Sequence, residues 1–128
     1  MHILMGLSAV LAALVHVYIF SMESLWWTSP EVRRRFRQTP EQSETTRVLA
    51  FNQGFYNLFL AIGIFAGYAL LHLGHPVAAL ALITWSCVCM VGAAVVLLAS
   101  APGMWRGALI QGAAPLVYLV VAALHALG

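Results

Sequence analysis

The feature that most constrains this chain is a series of four apolar stretches, each long enough to cross a bilayer as a helix. A helix rises about 1.5 Å per residue, so about 20 apolar residues span a hydrocarbon core of about 30 Å. The stretches lie at about residues 3–27, 48–72, 77–98 and 107–127. We therefore predict an all-α fold: a polytopic membrane protein with a single domain, residues 1–128, built as a four-transmembrane-helix bundle.

The composition agrees with a membrane protein. Hydrophobic residues make up 62% of the chain and charged residues 8%, whereas a soluble domain has about 25% charged residues. The basic residues are too few and too local for a nucleic-acid surface, so no nucleic-acid partner is expected. Cys87 and Cys89 point to opposite sides of a helix, and we interpret them as packing residues. No metal site is expected, because His16 and Glu23 lie too far apart along an undistorted helix for both to bind one ion directly. No cofactor is expected either.

The distribution of arginine predicts how the chain sits in the membrane. All six basic residues are arginines, and five of them belong to the basic connection at residues 28–47, while the sixth is Arg106. The turn between the second and third stretches has none. Because arginine-rich loops stay in the cytoplasm, we predict a cytoplasmic basic loop, extracytoplasmic termini and a multi-pass protein of the cell inner membrane. The segment 31–37 is expected to lie along headgroups, which makes membrane lipid a partner.

Two ionisable residues, His16 and Glu23, lie within the first span. Such side chains are costly at membrane depth and usually face a bundle interior or a water-filled cavity. On an α-helix, residues seven positions apart share a face to within roughly 20° and lie about 10 Å apart along the axis. Counting from the cytoplasmic end, Glu23 lies about 6 Å deep and His16 about 16 Å deep.

The second and fourth spans carry polar residues at similar depths. Asn52 and Tyr56, and likewise Gln53 and Asn57, are four positions apart and stack on two adjoining helix faces. Gln111 lies one turn inside the fourth span. Pro115 has no N–H, so the carbonyl of Gln111, four residues earlier, is free to accept a hydrogen bond. We therefore predict that these residues share a polar pocket with His16 and Glu23, open toward the cytoplasm and closed on the outer side by apolar packing.

Two paired motifs carry a resemblance to a known family. The sequence H-V-Y-I-F-S-M-E-S-L-W-W at residues 16–27, with F-N-Q-G-F-Y-N-L-F-L-A at residues 51–61, resembles a domain-of-unknown-function family of small bacterial and fungal membrane proteins. The likeness continues through Gln111, Gly112 and Pro115 and covers nearly the whole chain. The resemblance implies four membrane helices and this set of polar residues, but no agreed activity.

Three functions remain open at the level of sequence. The first is a cofactor-free acid/base enzyme, an isomerase or cyclase, acting on a small lipid-like or isoprenoid ligand. Its catalytic residues would be Glu23 and His16, and its substrate-binding residues Asn52, Gln53, Tyr56, Asn57 and Gln111. The second is a small proton-coupled transporter working as a homodimer. The third is a binding or partner subunit whose polar residues only hold the helices together.

Overall fold

The protein folds into helices joined by short turns. A computed structural model describes residues 1–128 and contains no β-strand. The helices are α1 (Ile3–Phe20), α2 (Pro30–Arg35), α3 (Pro40–His72), α4 (Pro76–Ser100) and α5 (Trp105–Leu127). A π-helical turn, Ser21–Leu25, continues α1, and a 3-10 turn, Pro102–Met104, precedes α5.

Four segments are long and apolar enough to cross a membrane. They are Ile3–Leu25, Pro40–His72, Pro76–Ser100 and Pro102–Leu127. The predicted fold class, an all-α bundle with four such helices, is therefore confirmed. The orientation of the two termini relative to the membrane stays a prediction.

The second span begins as a capped helix. The Gln42 N–H donates to the Thr39 hydroxyl at 3.1 Å, and the Thr39 N–H donates to the Gln42 side chain at 2.9 Å. This capping box, with Pro40 at the first helical position, starts α3. With 33 residues, α3 is about 50 Å long and exceeds a hydrocarbon core of about 30 Å. Its first turns belong to what we call the arginine end, residues 26–47 and 101–106.

The four long helices form a ring in which each packs against two neighbours. α1 contacts α3 and α5, α4 contacts the same two helices, and α1 and α4 meet only slightly. Small residues predominate where the helices meet, and they allow the backbones to approach closely. The central cluster of 11 buried residues contains Met5, Ala9, Ala12, Ala13, Ala61, Ile64, Ile83, Cys87, Met90, Ala114 and Tyr118.

The contact between α1 and α3 is close at both ends of the bundle. Away from the arginine end, the Tyr68 hydroxyl donates to the Gly6 carbonyl at 2.7 Å. At the arginine end, Gly54 of α3 is buried against α1. A Cβ atom at this glycine would meet the Ser24 hydroxyl and would lie 3.1 Å from the Phe20 carbonyl oxygen. Glycine is therefore needed at position 54 because there is no room for a side chain, and not because of its backbone conformation.

Replacing Gly54 with alanine is expected to push α1 and α3 apart and to lower stability by about 1–3 kcal/mol, the usual cost of overpacking. Thermal unfolding followed by circular dichroism in detergent measures this effect. Gly92→Ala is the matched control, because a Cβ atom at Gly92 meets nothing within 4 Å. Equal losses of stability in the two variants would contradict the close contact.

Candidate functional site

Glu23 lies on a π-helical turn at the end of the first span. The Trp26 N–H donates to the Ser21 carbonyl, five residues earlier, at 2.9 Å. The expectation of a regular α-helix up to residue 27 therefore fails after Phe20. Since a π-helical turn holds more residues than an α-helical turn, the rotation of 100° per residue does not carry through from His16 to Glu23.

The carboxylate of Glu23 is joined to α3 through Asn57. The Asn57 amide donates to Oε2 of Glu23 at 2.9 Å and also to the Gln53 carbonyl at 3.2 Å. Both Glu23 and Asn57 are half-buried. The second carboxylate oxygen, Oε1, makes no hydrogen bond and is not sealed inside the protein. Glu23 is thus fixed at one oxygen and free to meet a ligand at the other.

Further hydrogen bonds clamp the π-helical turn and the residues after it onto α3. The Ser24 hydroxyl donates to the Phe51 carbonyl at 2.7 Å. The Trp27 indole donates to the Ser43 carbonyl at 3.1 Å, and the Ser43 hydroxyl donates back to the Trp27 carbonyl at 3.1 Å. We call these bonds, together with the Glu23–Asn57 bond, the α1–α3 clamp. The clamp determines where the Glu23 carboxylate lies.

His16 is buried in α1, with only 1% of its surface exposed. Its Nδ1 lies 2.9 Å from the Ala12 carbonyl oxygen. Because a carbonyl oxygen only accepts, Nδ1 must carry a proton, and Nε2 of the neutral ring then holds a lone pair. Nε2 is buried and has no hydrogen-bond partner in the protein. Such groups are rare in native structures and point to a function or to a bound water.

The other predicted site residues are not hydrogen-bonded to Glu23 or His16. Asn52 is exposed, and its amide donates to the Val48 carbonyl of its own helix at 3.1 Å. Gln53 is also exposed, and Tyr56 exposes 65% of its surface on the outside of the bundle. Gln111 is half-buried on α5. The single side-chain bond among the predicted set is the one between Glu23 and Asn57, and the shared polar pocket stays a prediction.

Sequence reasoning missed Ser24 and the surface beside it. A depression of about 390 Å³ lies between the end of the first span and the start of the second. It combines polar groups with exposed apolar side chains and is lined by Ser24, Leu25, Trp27, Thr28, Arg47, Val48 and Phe51. Gly54 lies directly opposite Ser24. A glycine within a span indicates a close helix contact, but nothing in the sequence near it identifies Ser24 as the partner. No group of three His, Cys, Asp or Glu side chains is arranged to hold a metal ion.

A family model described as a protein of unknown function (DUF1304) matches residues 10–123. The chain belongs to the DUF1304 family. The match includes the π-helical turn, the α1–α3 clamp and every predicted site residue, and it agrees with the resemblance seen in the paired motifs. Neither a curated protein nor a solved structure matches the chain. The chemistry of this DUF1304 protein must therefore be argued from its own residues.

The Glu23–Asn57 bond is expected to stabilise the bundle by about 0.6 kcal/mol, the average for polar pairs between membrane helices. A double-mutant cycle of Glu23→Ala and Asn57→Ala, read by thermal unfolding in detergent, measures this coupling. Glu23→Gln is the conservative control, since its amide oxygen still accepts from Asn57. Strictly additive losses would show that the bond contributes nothing.

The inference that neutral His16 carries its proton on Nδ1 can be tested by measuring which ring nitrogen is protonated. In ¹⁵N-histidine-labelled protein at alkaline pH, neutral His16 is expected to carry its proton on Nδ1. His2 is the internal control, because its Nδ1 accepts from the Leu4 N–H at 3.2 Å and the proton must then be on Nε2. Nitrogen chemical shifts separate the two forms, and His16→Gln assigns the signal. Protonation of His16 at Nε2 would contradict the assignment.

Proposed function

We propose that this DUF1304 protein is a cofactor-free membrane enzyme that moves a proton on a lipid-like or isoprenoid substrate, as an isomerase or a cyclase does. The observation that carries the proposal is the Glu23 carboxylate, which the π-helical turn and Asn57 hold with one oxygen free. A carboxyl group that is held in place next to an apolar surface can act as a general acid. We further propose that the arginine end faces the cytoplasm across the cell inner membrane.

The surface beside the π-helical turn that carries Glu23 suits a substrate that arrives sideways from the membrane. The depression next to the π-helical turn has an apolar rim, with Leu25 exposed by 62%, Val48 by 68% and Phe51 by 47%. Ser24 and Arg47 add polar groups beside this rim. An amphipathic molecule can place its apolar chain on the rim and its polar group beside the turn.

The proposed reaction adds one proton and removes another. The protonated Glu23 carboxyl group donates its proton to one carbon of a double bond, and a carbocation forms at the other carbon. Loss of a proton from a neighbouring C–H bond then forms a double bond at a new position. In a cyclase, a second double bond attacks the cation before that loss and closes a ring. The elemental composition of the substrate is unchanged in both cases.

The basic group in this scheme is either the Glu23 carboxylate itself or Nε2 of His16. The lone pair on Nε2 has no partner in the protein. A substrate chain reaches this buried nitrogen only when the helices around His16 separate. Asn57 positions the acid, while Gln53 and Gln111, with the outward-facing Asn52 and Tyr56, are proposed to contact the substrate.

A purely structural role is the second candidate, and the α1–α3 clamp favours it. Polar residues between membrane helices commonly serve only to hold the helices together. In that case the Glu23 carboxylate matters only as an acceptor for Asn57. Glutamine at position 23 separates the two functions, because it keeps the acceptor and removes the transferable proton.

Chromosomal replacement by Glu23→Gln in the source organism tests the enzyme. We expect the protein to remain folded and abundant, while one membrane lipid is lost and an isomer of identical mass accumulates. Removing a general acid lowers a rate by about 10²–10⁴-fold, so the ratio of the two isomers should change by a comparable factor. Liquid chromatography with mass spectrometry of total lipid extracts measures that ratio.

Glu31→Gln is the matched control, because Glu31 is exposed, forms no ion pair and does not line the depression beside the π-helical turn. This variant should leave every isomer ratio unchanged. An unaltered lipid profile in a normally folded Glu23→Gln protein would reject the enzyme and favour the structural role.

A further inference from the structure

The six arginines divide into two groups by what their side chains contact. Three of them are paired within the protein. The Arg35 guanidinium lies 5.8 Å from the centre of the Tyr18 ring, and that of Arg106 lies 5.3 Å from the Trp105 ring. Arg47 forms an ion pair with Glu44 at 3.1 Å.

The other three arginines surround one open depression at the arginine end. It has a volume of about 510 Å³ and is lined by Pro30, Arg33, Arg34, Arg37, Gln38 and Thr39. No acidic side chain lines it, and none of its arginines forms a salt bridge. The Nε–H of Arg33 donates to the Thr28 carbonyl at 3.3 Å, and its other guanidinium N–H groups make no hydrogen bond within the protein. Three positively charged residues therefore line one depression without an acidic side chain to neutralise them.

Arg37 occupies a backbone position that favours glycine. The Gln38 N–H donates to the Arg33 carbonyl at 2.9 Å and the Arg37 N–H donates to the Arg34 carbonyl at 3.3 Å. This Schellman motif ends α2 with Arg37 in the left-handed region, at φ 55°. The side chain reaches the α4–α5 connection, where Nη1 would lie 3.1 Å from a Cβ atom at Gly103. Glycine at position 37 would adopt this backbone conformation with less strain. Only a long, positively charged side chain at this position adds a cation to the depression.

We propose that the depression formed by Arg33, Arg34 and Arg37 binds the phosphate group of an anionic phospholipid. Guanidinium groups pair with phosphate through forked, charge-assisted hydrogen bonds. Basic pockets beside membrane helices bind such headgroups. The depression is at headgroup level, because the half-exposed Trp26 and Trp105 at the same end are side chains typical of the membrane interface. A lipid fits this location better than a soluble phosphate, since its acyl chains can lie along the apolar surface of the spans.

Native mass spectrometry of the full chain in neutral detergent tests the site. Dioleoylphosphatidylglycerol is the probe, and dioleoylphosphatidylcholine is the zwitterionic control. We expect the wild type to retain phosphatidylglycerol preferentially. Arg34→Gln and Arg37→Gln should each weaken retention about fivefold, the factor that corresponds to about 1 kcal/mol per basic residue near an anionic lipid surface. Arg35→Gln and Arg106→Gln remove the same charge outside the depression and should leave retention close to that of the wild type.

Arg37→Gly separates binding from folding. It should keep or raise the unfolding temperature, because glycine suits the Schellman motif, and yet weaken phosphatidylglycerol retention as much as Arg37→Gln. Equal weakening by all single arginine variants would show a general charge effect and overturn the site. Absence of any preference over phosphatidylcholine would also overturn it. Displacement of the lipid by low concentrations of sodium phosphate would assign the depression to a soluble phosphate instead and overturn the lipid assignment.

Discussion

The arrangement of the arginine end depends on the contact between α1 and α3 at the π-helical turn. Two conditions produce this contact. The absence of a side chain at Gly54 lets α1 approach, so that Ser24 reaches the Phe51 carbonyl at 2.7 Å. The extra residue in the turn then directs Glu23 toward Asn57. Each bond is modest by itself, but together they fix a carboxylate in surroundings where an unpaired charge is expensive.

The fold followed from the sequence because its causes are local. Apolar stretches of bilayer length predict spans wherever they occur, and the four helices confirm them. The start of α3 also has a local cause, since Thr39, Pro40 and Gln42 form a capping box without help from the rest of the chain.

The site was less predictable because its causes are tertiary. A count of 100° per residue places Glu23 correctly only in an unbroken α-helix, and the π-helical turn breaks that regularity where α3 supplies new partners. Glu23 and Asn57, which are hydrogen-bonded to each other, both belong to the predicted set of site residues. Asn52 and Tyr56 belong to the same set, but the sequence did not predict that they are exposed. Depth along a span can be read from sequence, but the direction in which a side chain points depends on the neighbouring helix.

The two ionisable residues of the first span differ in what the fold does with them. Glu23 is half-buried, and its Oε1 is neither hydrogen-bonded nor sealed inside the protein. His16 is enclosed, and its Nε2 is one of two buried side-chain atoms without a hydrogen-bond partner, the other being Oε1 of Gln38. A buried acceptor without a partner costs about 1–3 kcal/mol. An apolar residue at position 16 would avoid that cost in this apolar core, so the histidine is explained best by a ligand or water that donates a hydrogen bond to its Nε2.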